Sequence, residues 1–98
     1  MTIDASAITI DTGDAASAAY IMSELVGRFD AELVPPSANG GRWAVVLRRD
    51  RDERELLIAA ITAVERSLRL HDLREAMVRY GRRRYTLRNP DAMPRAAA

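Results

Sequence analysis

The ten residues from Arg79 to Arg88 (RYGRRRYTLR) hold five arginines and two tyrosines, and no acid. A guanidinium is a planar fork of N–H donors that fits phosphate and carboxylate oxygens two at a time. Arg79, Arg82, Arg83, Arg84 and Arg88 are therefore the candidate binding residues, for an acidic protein partner or for a nucleic acid. In the nucleic-acid reading, Tyr80 and Tyr85 would stack on bases. A plainer account is also available: arginines along a sheet edge discourage one strand from adding to another and keep the edge soluble.

Other chemistry-bearing residues form no recognisable constellation. His71 is the only histidine and falls where a long helix should end, a place where exposed carbonyls welcome partial positive charge. Asp72 beside it diverges from it on a helix end, so the pair makes a poor catalytic dyad. Asp50, Asp52, Glu53 and Glu55 crowd a helix start, which capping and the helix dipole explain better than a metal does. Arg51 and Arg54 between them would weaken any divalent site. Gly40-Gly41 precedes a strand and not a helix N-terminus, so it makes no phosphate loop. Ser17, Ser23 and Ser67 have no base nearby in sequence, and there are no cysteines. The expectation is a protein with no catalytic residues, no cofactor and no metal: not an enzyme.

These side chains must be placed by the elements around them. The longest is a helix over 52–70, in which Leu57, Ala60, Ile61, Val64 and Leu68 recur at three-four spacing. Asp50 or Asp52 would cap its start. Leu56, Ala63 and Leu70 form a second apolar row on one flank, and Ile58 lies on the other. Leu56, Ile58 and Leu70, with Trp43 at the head of a strand, are the apolar residues that could meet a partner. Upstream, Ala7 to Asp11 alternates as a first strand, Asp14 caps a helix running to about Arg28, and Asp30 to Val34 forms a short strand ended by Pro35-Pro36. A turn-rich loop (PPSANGG) leads into Arg42 to Arg49, a strand apolar on both faces and therefore central.

Beyond Leu70 two readings compete. Asp72 to Glu75 could open a third helix, or Glu75–Tyr80 and Arg83–Arg88 could pair as a hairpin about Gly81-Arg82. The hairpin is favoured, because glycine in the first central position suits a type II′ turn. Its register sets Val78 against Tyr85 and Ala76 against Leu87, which turns both tyrosines to the apolar face. On the other face Glu75 meets Arg88, and Arg79 meets Arg84 in a repulsive pair. The fold class is then α+β: two helices on one face of a four- to five-stranded antiparallel sheet, βαββαβ(β), a ferredoxin-like arrangement. Residues 1–90 make a single domain behind a loose lead-in at 1–7, and 91–98 a flexible tail.

Composition bounds the function. The chain has 98 residues, 48% hydrophobic and 30% charged, as expected of one globular domain. All 15 basic residues are arginine; GC-rich bacterial coding is the preferred reading over selection for phosphate or carboxylate recognition, because the bias runs through the whole chain. No apolar run reaches the ~20 residues of a membrane span, and the N-terminus reads as no signal peptide, so a cytoplasmic location is expected. Residues 1–41 carry one arginine against six acids (−5), and residues 42–98 carry fourteen against eight (+6). Such polarity could drive self-association, unless the fold interleaves the halves. The resulting expectation is a non-catalytic protein–protein interaction or regulatory module, homodimeric or docked on a larger protein through the arginine-rich hairpin and a helix flank. The alternative is a nucleic-acid-binding protein, and a third reading, a small-ligand sensor, rests on fold analogy alone.

Overall fold

Alternation and capping act where the residue types place them. In the computed structural model, which describes residues 7–92, Ile8–Thr12 forms β1, and Asp14 then caps α1, Ala15–Leu25, by accepting from the Ser17 amide at 2.7 Å. The helix stops three residues short of Arg28, because the weak helix former Gly27 interrupts it and the chain continues as turns. Phe29 is still buried, under the Arg51 guanidinium at 4.8 Å from its ring centre. Ala31–Val34 is β2, a short 3-10 turn covers Pro36–Ala38, and Trp43–Leu47 is β3. Asp52 caps α2, Glu53–Leu70, by accepting from the Arg54 and Glu55 amides. The hairpin reading holds: β4 is Glu75–Tyr80 and β5 is Arg83–Arg88, with no third helix among the described residues. Of the expected lead-in and tail, residues 1–6 and 93–98 lie outside the described residues.

The five strands make one sheet in the order β2-β3-β1-β4-β5, and every neighbouring pair is antiparallel. The fold is α+β, with both helices against one face of this sheet. That face carries Ile8 and Ile10 of β1, Val45 and Leu47 of β3, and Ala76 and Val78 of β4. They share one core with Ile21 and Leu25 of α1 and with Leu56, Ala60, Val64 and Leu68 of α2. A smaller cluster, Ala7, Val34, Ala44 and Val46, occupies the helix-free face. No helix among the described residues is long and apolar enough to cross a membrane.

Helix α2 is rotated relative to the face expected from spacing. Leu56, Ala60, Ala63, Val64, Ser67 and Leu68 are buried, while Leu57 and Ile61 are only half-buried. Small Ala63 and Ser67 allow close approach to the neighbouring elements, which draws their side of the helix inward. Ser67 is wholly buried, and its hydroxyl has no hydrogen-bond partner among the described residues. A buried, unpaired hydroxyl is unfavourable, and alanine is the better helix former. Ser67→Ala should therefore raise the unfolding free energy by about 1 kcal/mol, read as a higher urea midpoint at unchanged slope.

The end of α2 is closed by a turn with one left-handed residue. Asp72 takes φ 52°, and the Leu73 amide reaches back to the Leu68 carbonyl at 2.9 Å. Leu68 and Leu73 are both buried in the main core. The Asn89 side chain, itself buried, donates to the same Leu68 carbonyl at 3.1 Å and so anchors the end of β5 against α2.

Candidate functional site

The hairpin forms the register expected from its sequence, with Tyr80 opposite Arg83, Val78 opposite Tyr85, Ala76 opposite Leu87, and Glu75 opposite Arg88. Gly81 has φ 59° and Arg82 is not in the left-handed region, the combination of a type II′ turn. Strand alternation then divides the arginines. Arg79, Arg84 and Arg88 project to the helix-free face, Arg83 to the helix side, and Arg82 sits on the turn. Tyr80 and Tyr85 pack against the main core, which removes them as a stacking platform for bases. The carboxylate of Glu53, near the Tyr80 hydroxyl, favours its protonated form and holds that phenol above its ordinary pKa.

The expected clash of Arg79 with Arg84 is resolved from outside the hairpin. Asp11 of the neighbouring β1 lies opposite Met77 of β4, and its carboxylate is 6% exposed. It accepts from Nε of Arg79, and more weakly from the terminal nitrogen Nη2 at 3.3 Å. Asn39 completes the group, donating to Asp11 at 2.7 Å and accepting from Arg79 at 2.7 Å. Arg79 is thus held by Asp11 and Asn39 through Nε and Nη2, which takes those two donors, though not its other terminal nitrogen, out of the set offered to a partner. Arg88 makes a long, exposed pair with Glu75 at 3.5 Å, the kind of contact that contributes only about 0–1 kcal/mol. Arg82, Arg83 and Arg84 are exposed and make no ion pair with a described carboxylate.

The apolar candidates do not come together. Leu56 is 1% exposed and belongs to the core, so it is withdrawn as a contact residue. Trp43 is half-buried on the helix side of β3. Ile58 and Leu70 are exposed, at 58% and 57%. Twelve helical residues separate these two by roughly 18 Å along the axis and about 120° around it, so they do not share a stripe. The proposed helix flank is therefore two isolated aliphatic side chains, an ordinary surface feature.

The remaining polar candidates serve the scaffold. His71 is the C-cap of α2, stacks on Tyr20 at 4.6 Å between ring centres, and places Nε2 3.4 Å from Glu24. Arg51 donates to Asp50 at 2.8 Å, and that hydrogen bond holds the Asp50 carboxyl below its usual pKa. Arg49 pairs with Glu53 at 2.8 Å. No cluster of three or more possible metal ligands occurs among the described residues. The acidic first third and basic remainder interleave: Asp11 meets Arg79, Glu32 meets Arg48, and Glu24 meets His71. Sequence reasoning missed Asn39, which it took for part of a turn, because nothing local marks its distant partners. No protein-family model, curated protein or solved structure matches this chain, and its geometry alone bears on its function.

Proposed function

We propose that this protein is a small, non-catalytic interaction module that docks an acidic, extended segment of a partner protein along β5. The observation that carries the reading is that β5 ends the sheet, so its outer backbone N–H and C=O groups have no strand neighbour among the described residues. Arg82, Arg83 and Arg84, unneutralised by described carboxylates, lie on or beside that edge. An added strand gains its affinity from the backbone ladder and its selectivity from alternate side chains. Acids on a docked strand would face Arg84 and Arg88 on one side of the sheet and Arg83 on the other. We read the order β2-β3-β1-β4-β5 as a ferredoxin-like split β-α-β scaffold with β5 appended, a reading that the exposed edge of β5 supports. That fold analogy specifies no partner.

The same edge disfavours a symmetric dimer. A two-fold pairing of β5 with its copy centred on Tyr85 sets Arg82 against Arg88. Centring it on Thr86 opposes Arg84 and Arg88, and centring it on Arg84 opposes two copies of that residue. Like charges directly opposite are destabilising, and centring on Leu87, which avoids them, pairs only the last residues of β5, so the favoured occupant has a different, acidic sequence.

The test is fluorescence anisotropy with a labelled peptide alternating glutamate and threonine, compared with single-stranded DNA and RNA of equal charge. The peptide should bind, and the double variant Arg83→Glu/Arg84→Glu should weaken it at least tenfold at low salt. Equal affinity of variant and parent would remove the proposal. Tighter binding of the oligonucleotides, with the steeper salt dependence of phosphate contacts, would favour nucleic-acid binding instead.

A further inference from the structure

We infer that the helix-free face of the sheet carries a second, separate site, built to hold a phosphate monoester. Asp11, Asn39, Arg42, Met77, Arg79 and Arg84 line an open cavity of about 430 Å3 between the β2–β3 loop and the hairpin. Three arginines and a single carboxylate leave the lining at a formal +2. Arg79 and Arg84 stand directly opposite each other across β4 and β5, and Asp11 neutralises only the first. A carboxylate ligand brings one negative charge, whereas a phosphate monoester brings about 1.5 to 2 at neutral pH, with three acceptor oxygens for guanidinium forks.

The site is also organised before any ligand arrives. Asp11 and Asn39 fix the Arg79 guanidinium through Nε and one terminal nitrogen, leaving its other terminal nitrogen without a described partner. Asn39 also donates to the Arg42 carbonyl at 3.1 Å, which ties the loop carrying Arg42 to the sheet. The loop closes through Gly40 and Gly41 at φ 61° and 91°, left-handed values that side chains resist. Asp11 is thereby a positioning residue, and Arg42, Arg79 and Arg84 are the ligand-facing cations. The site overlaps the docking edge at Arg84 alone, and Arg42 and Arg83 tell the two apart.

The experiment is a titration of the full chain with inorganic phosphate, a sugar phosphate, a phosphoserine peptide and succinate, followed by calorimetry and by backbone amide NMR. Phosphate should give saturable shifts confined to residues 11, 38–42, 77–79 and 84, with binding strengthening at least threefold between pH 5.5 and 7.5 as the ligand loses its second proton. Arg42→Ala and Arg84→Glu, both at exposed positions, should each weaken binding at least fivefold. Arg83→Glu, on the opposite face, should change it less than twofold. The sugar phosphate or the phosphoserine peptide, whichever binds more tightly, identifies the source of the phosphoryl group. Unsaturated, dispersed shifts, equal effects of Arg83→Glu and Arg84→Glu, or succinate binding as tightly as phosphate would overturn the assignment.

Discussion

Leu56→Ala is expected to lower the unfolding free energy by about 2–5 kcal/mol, a large part of the ~5–15 kcal/mol that holds a domain together. Leu56 is 1% exposed and shares the main core with Ala60, Val64 and Leu68 of its own helix and with residues of α1 and the sheet. Truncation removes three carbons from that core and leaves a void that two helices and a sheet can only partly close. Ile58→Ala, two residues away on the same helix, should change stability by no more than about 0.5 kcal/mol, because Ile58 is 58% exposed. Urea unfolding with a common slope measures both. Similar losses in the two variants would mean that α2 does not present the face described here.

Asp11→Ala should cost about 2 kcal/mol, by a different mechanism. The aspartate is buried, and removing it leaves Arg79 directly opposite Arg84 with no intervening negative charge. Breaking a fully buried pair costs ~3–5 kcal/mol, but the Arg79 side chain is 35% exposed and can recover part of its hydration, hence the smaller figure. Asn39 loses an acceptor in the same step, so the β2–β3 loop is released as well. A double-mutant cycle isolates the ion pair. Arg79→Met in the Asp11→Ala background should be less destabilising than the two single changes added, with a coupling of about 1 kcal/mol or more. Strict additivity would show that Asp11 matters for packing alone.

The hairpin was legible residue by residue, and the reason is local. Glu75 to Arg88 carries its own alternation, and Gly81 fixes the turn, so a slip by one residue would have moved Val78 and Tyr85 off the apolar face. The helix caps Asp14 and Asp52 were readable for the same reason, since each acts within three residues of itself. The inward face of α2 was less legible, because Leu56 and Leu57 are both apolar and only the neighbouring elements choose between them. The Asp11–Asn39–Arg79 group was out of reach. Its members are 28, 40 and 68 positions apart in pairs, and no short-range pattern announces that an aspartate in the first strand answers an arginine in the fourth.

The place of β1 in the sheet has a consequence for how the molecule is made. Ile8 lies beside Leu47 on one side and beside Tyr80 on the other, so the earliest strand of the sheet is also its keystone. During synthesis that strand must wait, unpaired on one flank, until the chain through Tyr80 has emerged and β4 can reach it. Loop-closure entropy is lost before these distant contacts repay it, which favours slow, late acquisition of structure over progressive assembly from the N-terminus.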